Sequence, residues 1–106
     1  MIEVHFITHS GDHYTVAAQS GETLMQVAVR NDVPGIEAEC GGACACATCH
    51  VYVDESWAAK LPQARPMEED MLDFAYDIRA NSRLSCQIRL DESLNGLTVH
   101  VPERQA

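Results

Sequence analysis

Four of the chain's five cysteines fall within ten residues, C40GGACACATC49, and His50 follows directly; the fifth, Cys86, comes 37 positions after Cys49. Any fold for this chain must bring a distant thiol back to a tight, glycine-containing loop. The 106 residues suit one domain, 1–106, with a modest core, and an apolar content of 46% is ordinary for a globular protein. No run approaches the roughly 18–20 apolar residues that span a bilayer. The opening MIEVHFITHSGDHYTV has neither the basic-then-apolar pattern of a secretory signal nor the Arg/Ser richness of a transit peptide. With Met1 at the start, it predicts an untargeted chain of the bacterial cytoplasm, a trimmed organelle protein being the other option. Disulfides do not persist there, so clustered thiols point to metal or redox chemistry.

The formal charge is −9. Such a surface repels phosphates, which excludes nucleic acids and anionic membranes as partners and favours basic proteins. Seven carboxylates (Asp54, Glu55, Glu68, Glu69, Asp70, Asp73, Asp77) lie in segment 54–77 against only Lys60 and Arg65.

Along the chain, Ile2, Val4 and Phe6 alternate as in a half-buried strand over 2–8. SGD at 10–12 is a turn signal, and HYTVAA at 13–18 completes a hairpin. Thr23 and Gln26 form a capping-box pattern, opening a helix with Leu24, Val27 and Ala28 on one face. NDVPG at 31–35 ends it. H50VYV predicts a short strand and ESWAAK at 55–60 a helical turn. Pro66 opens a further helix over 67–78, with Met67, Met71, Phe74 and Ile78 on one face and Glu69, Asp73 and Asp77 on another. C86QIRL and L97TVHV predict the last two strands. The fold class is therefore α+β, a mixed sheet with one main helix and smaller ones.

Thiolate is the soft ligand of zinc, cuprous copper and iron–sulfur clusters. A structural zinc site usually needs two C-x2-C pairs, and only Cys46/Cys49 forms one; a zinc-stabilised binding module is the remote reading. A Rieske centre needs Cys-x-His spacing, but His50 adjoins Cys49 directly. A thioredoxin-type dithiol sits where a helix starts, whereas this pair leads into a strand. A [2Fe–2S] cluster takes three thiolates from a loop and a fourth from afar, in the plant-type spacing C-x4-C-x2-C. C40-x5-C46-x2-C49 with Cys86 is that design with one more residue in the first gap. Gly41 and Gly42 allow unusual φ and close backbone approach, the alanines keep the loop small, and Thr48 offers a hydroxyl. Acidic surroundings would favour the oxidised cluster and a low potential. Spacing alone does not exclude Cys44 as a ligand.

The loop, its following His50 and R83LSC86Q resemble the adrenodoxin/putidaredoxin family of [2Fe–2S] ferredoxins, and the likeness covers essentially the whole chain. It implies a β-grasp fold with a short acidic helix, a surface cluster loop, and one [2Fe–2S] cluster held by Cys40, Cys46, Cys49 and Cys86, leaving Cys44 spare. D70MLD73 resembles the family's acidic docking motif, implying that Asp70 and Asp73, supported by Glu68 and Glu69, face a basic reductase. Glu39 matches an acidic position used toward a monooxygenase. His50 in relatives ties the cluster loop toward the acidic helix. The chain ends ERQA, without the aromatic terminus that such relatives use in partner contact. Tyr52, Trp57 and Tyr76 are assigned to packing.

The resemblance implies a one-electron carrier, most simply a monomer and not itself an enzyme. It would take electrons from an NAD(P)H- and flavin-dependent ferredoxin reductase and pass them to a cytochrome P-450 class monooxygenase. The alternative keeps the cluster but supplies iron–sulfur cluster assembly, a branch that the Cys44-containing CAC pattern also resembles.

Overall fold

The computed structural model describes residues 2–34, 36, 50–73, 75 and 77–102. Strand β1 (Ile2–Ile7) pairs antiparallel with β2 (His13–Ala18) from Ile2↔Ala18 to Ile7↔His13. The hairpin closes through the Thr8 N–H to Asp12 O and Gly11 N–H to Thr8 O bonds, both 2.9 Å. Gly11 takes a φ of +94° there, a conformation costly for any side chain.

Helix α1 (Leu24–Arg30) begins as its sequence dictates: Thr23 Oγ1 accepts from the Gln26 N–H, and the Gln26 side chain accepts from the Thr23 N–H. Two otherwise orphaned donors are thereby satisfied, stabilising the helix start by about 1 kcal/mol. Leu24, Val27 and Ala28 turn inward as predicted, joined by Met25.

Next come β3 (His50–Val53), the short helix α2 (Glu55–Ala58), α3 (Pro66–Leu72), β4 (Ser82–Leu84) and β5 (Leu97–His100). The sheet order is β2-β1-β5-β3-β4. β5 lies parallel to β1, while β3 runs antiparallel to both β5 and β4, so the sheet is mixed. Ile2, Val4 and Phe6 join Leu24, Val27, Val51, Leu84, Leu97 and Val99 in one core. Among the described residues no helix is long and apolar enough to cross a membrane.

Three expectations need correction. The strand predicted at C86QIRL is displaced: pairing ends at Leu84 opposite His50, and Ser85–Gln87 form a 3-10 turn. Residues 88–90 bond instead to the residues around the start of α1, where the Leu24 N–H donates to Ile88 O and the Leu90 N–H to Glu22 O, each 2.8 Å.

The helix predicted over 67–78 stops at Leu72. Beyond it, Asp77 adopts a φ of +52° and the chain is tied to β3 instead. The Tyr52 hydroxyl donates to Asp77 O at 2.6 Å and Asn81 Nδ2 to Val53 O at 2.7 Å, so tertiary bonds outweigh helix propensity. Helices α1 and α3 are seven residues each.

The apolar residues expected to share one face of this helix do not share burial. Met67 is 62% exposed and Ile78 45%, whereas Glu68 and Leu72 are buried. Met71 packs partly against the core, and Phe74 lies outside the described residues.

Candidate metal centre

The pairing of His50 with Leu84 sets the local geometry. His50 is the first described residue after the cysteine loop, and Leu84 stands two residues before Cys86. Strand register therefore brings the start of β3 and the Cys86 turn to the same end of the sheet. Helix α1 packs against that turn from the core side. Cys86 is only 6% exposed. It joins Met25, Gln26, Leu61, Arg65 and Arg89 in lining a groove. Gln87 Nε2 donates to Cys86 Sγ at 3.5 Å. Ser85, the other chain neighbour, is fully buried, and its Oγ has no partner among the described residues. A soft, buried sulfur with an amide donor on it, beside a buried hydroxyl, suits a thiolate that binds an iron–sulfur cluster. Cys40, Cys44, Cys46 and Cys49, with Glu39, Gly41, Gly42 and Thr48, lie outside the described residues, as do Tyr76 and the ERQA terminus.

His50 is wholly buried, with Nε2 2.8 Å from Ser82 Oγ. Ser82 Oγ also accepts from the Arg79 N–H at 2.8 Å, connecting His50 to the segment that follows α3. The Tyr52 ring meets the imidazole edge-on, centroids 4.8 Å apart, and the Arg79 guanidinium lies over Tyr52 at 4.4 Å. Burial holds the imidazole pKa down to about 4; the Asp77 carboxylate opposes that shift and Arg79 adds to it. The ring is therefore neutral at pH 7, and it buttresses this end of the sheet without adding charge.

The predicted acidic surface separates into two parts. Glu69, Asp70 and Asp73 are exposed. Glu68, expected beside them as a docking residue, is only 2% exposed and cannot meet a partner. Its carboxylate accepts from Arg83 Nε at 2.7 Å, Arg83 Nη2 at 3.1 Å and the Leu84 N–H at 2.8 Å. Arg83 Nη1 in turn donates to Pro62 O at 2.7 Å. Glu68 thus fastens α3 to the strand that leads to Cys86. The sequence reading passed over Arg83 and Ser82 as structural partners. Arg83 carried no signal that set it apart, since Arg65 and Arg79 also flank the carboxylate-rich helix in the sequence.

Tyr52 is buried, as assigned, and Trp57 packs on the core edge with Lys60 Nζ 4.5 Å from its ring centre.

Comparison with known proteins completes the picture. Residues 7–91 match the family model described as the 2Fe-2S iron-sulfur cluster binding domain. Ferredoxin CarAc of Sphingomonas sp is 48% identical over 105 residues, covering 99% of this chain and 96% of that protein. Putidaredoxin of Pseudomonas putida is 42% identical over 106 residues, covering 99% of each. In the crystal structure of the covalent putidaredoxin reductase–putidaredoxin complex, one chain superposes with a TM-score of 0.91 at 42% identity, covering 96% of this chain and 99% of that one. The sheet is that of the β-grasp fold, and the cofactor is one [2Fe–2S] cluster. The chain belongs to the putidaredoxin-type [2Fe–2S] ferredoxins, a family of electron carriers.

Proposed function

We propose that this chain shuttles single electrons from an NAD(P)H-dependent flavoprotein reductase to a P-450 class monooxygenase, working as a monomer and catalysing no reaction of its own. Cys40, Cys46, Cys49 and Cys86 hold the cluster, which when bound takes up and releases one electron. Gly41, Gly42 and Thr48 shape the loop, His50 supports it from β3, and Cys44 is dispensable. Asp70 and Asp73, with Glu69, meet the reductase, while Glu39 serves the contact with the monooxygenase.

One observation carries this reading. The exposed carboxylates of α3 stand on a helix whose buried face is bolted through Glu68 to Arg83 and Leu84, two residues from Cys86. A partner attracted by those charges docks on a surface held rigidly to a cluster ligand, and charge accelerates such encounters without making them tight. The relative caught in covalent complex with its reductase supports the first partner. The monooxygenase as acceptor rests on the sequence pattern of C40GG and H50VYVDE.

Stopped-flow reduction by a putidaredoxin-type reductase tests the docking claim. Asp70→Asn with Asp73→Asn should slow transfer at low ionic strength and flatten its salt dependence. An unchanged rate and salt slope would defeat it. Turnover with a cysteine desulfurase assembly system, and none with any monooxygenase, would favour the assembly role.

A further inference from the structure

Strands β1 and β2 form the edge of the sheet opposite β4 and the Cys86 turn. Their outward face carries Glu3, His5, His13 and Thr15. Because His5 pairs with Thr15 and Ile7 with His13, the two histidines are diagonal cross-strand neighbours on one face. His5 Nδ1 and His13 Nε2 share a hydrogen bond at 3.0 Å, and Nδ1 also lies within hydrogen-bond distance of Thr15 Oγ1, at 3.1 Å. The rings stand at 70° to each other with centroids 5.1 Å apart. On the far side of the His5 ring, Nε2 is 3.1 Å from Glu3 Oε1.

Nothing in electron transfer requires this group. Metal-binding histidines commonly present one ring nitrogen to the ion and donate the other N–H to a carboxylate, which fixes tautomer and ring orientation. His5 has that arrangement, with Glu3 as the carboxylate. With metal–nitrogen bonds of about 2.0–2.1 Å, two nitrogens on one ion stand about 2.9 Å apart at a right angle and about 3.3 Å apart at the tetrahedral angle. The hydrogen bond holds the two nitrogens 3.0 Å apart, about the spacing of neighbouring positions on a square-planar or octahedral ion, the preference of Cu(II) and Ni(II), so an ion that displaces the shared proton need move the rings little. The paired strands hold both rings in place, so little ordering is needed on binding.

We propose that His5 Nδ1 and His13 Nε2 chelate one divalent late transition-metal ion of the Ni(II) type. Glu3 holds the His5 ring, and water completes the coordination. Two protein ligands on an open face give a moderate affinity, suited to reversible loading.

The test is equilibrium dialysis of the cluster-loaded protein against nickel chloride, with the visible spectrum recorded alongside. Nickel is chosen over copper because it attacks cluster thiolates less readily. The wild-type protein should take up one nickel per chain with an unchanged cluster spectrum. His5→Ala and His13→Ala should each weaken uptake by about tenfold or more, because the second imidazole is already held at high effective concentration. His9→Ala should have no effect. Absence of uptake at submillimolar nickel would overturn the proposal. So would uptake that survives both substitutions, or uptake that bleaches the cluster. An intact cluster spectrum in the variants shows that they are folded.

Discussion

Replacing Glu68 by alanine should be among the most damaging changes outside the cluster ligands. The carboxylate is 2% exposed and accepts three hydrogen bonds at 2.7–3.1 Å, two from Arg83 and one from the Leu84 N–H. Bonds to a charged group are worth about 1.5–3 kcal/mol each, but the desolvation of Glu68 already offsets much of that gain. What the variant suffers is what it leaves behind. The Leu84 N–H stays buried without an acceptor, costing about 1–3 kcal/mol. Arg83, with its side chain 14% exposed, recovers only part of its hydration. Breaking a buried pair from one side costs about 3–5 kcal/mol, and the partial exposure of Arg83 places Glu68→Ala near the lower end. For a domain of this size that is a fall of about 12–24 °C in the thermal midpoint. Glu68→Gln keeps an oxygen for the Leu84 N–H and should lose about half as much. The assay is thermal loss of far-ultraviolet circular dichroism together with visible absorbance, because unfolding and cluster loss are coupled. Glu69→Ala, on the exposed side of the same helix, is the control and should shift stability by no more than about 0.5 kcal/mol. If Glu68→Ala behaves like Glu69→Ala, the strut does not exist. The salt dependence of reductase transfer should be unaltered in Glu68→Gln, since this carboxylate faces no solvent.

Three further outcomes follow from the same geometry. Cys86→Ser should abolish or badly damage the cluster while Cys44→Ser retains it, as read by visible absorbance and iron content; the opposite pattern would overturn the ligand assignment. Thr23→Ala breaks the capping box and should lower stability by about 0.5–2 kcal/mol without changing the cluster spectrum, measured by chemical denaturation. Ser82→Ala removes the partner of both His50 Nε2 and the Arg79 N–H and should cost about 1–3 kcal/mol, with a loss below about 0.5 kcal/mol counting against the buttress.

Local signals in the sequence were reliable where one element decided its own structure. The alternation of Ile2, Val4 and Phe6, the turn before His13, and the Thr23–Gln26 cap act over a few residues, and each appears in the fold as expected. The errors arose where a distant segment decided the outcome. Apolar spacing set Met67, Met71, Phe74 and Ile78 on one face, but α3 buries Glu68 because Arg83 waits fifteen residues on, and no periodicity reveals such a partner. Residues 86–90 have strand-like composition. Residues 88–90 bond instead to the residues around the start of α1, and the Ser85–Gln87 turn before them is what presents Cys86. For the site, the spacing of the cysteines suggested the cofactor, and resemblance singled out four of five thiols. Which carboxylates face solvent was legible only in the fold.

The most direct test of the central claim is an anaerobic dithionite titration of the purified protein, followed by visible absorption and electron paramagnetic resonance. A single [2Fe–2S] carrier predicts a red-brown protein that bleaches partly on uptake of one electron per chain and then shows one spin-half signal. Uptake of two electrons, or a cluster-loaded protein that neither bleaches nor gives a signal, would contradict the account.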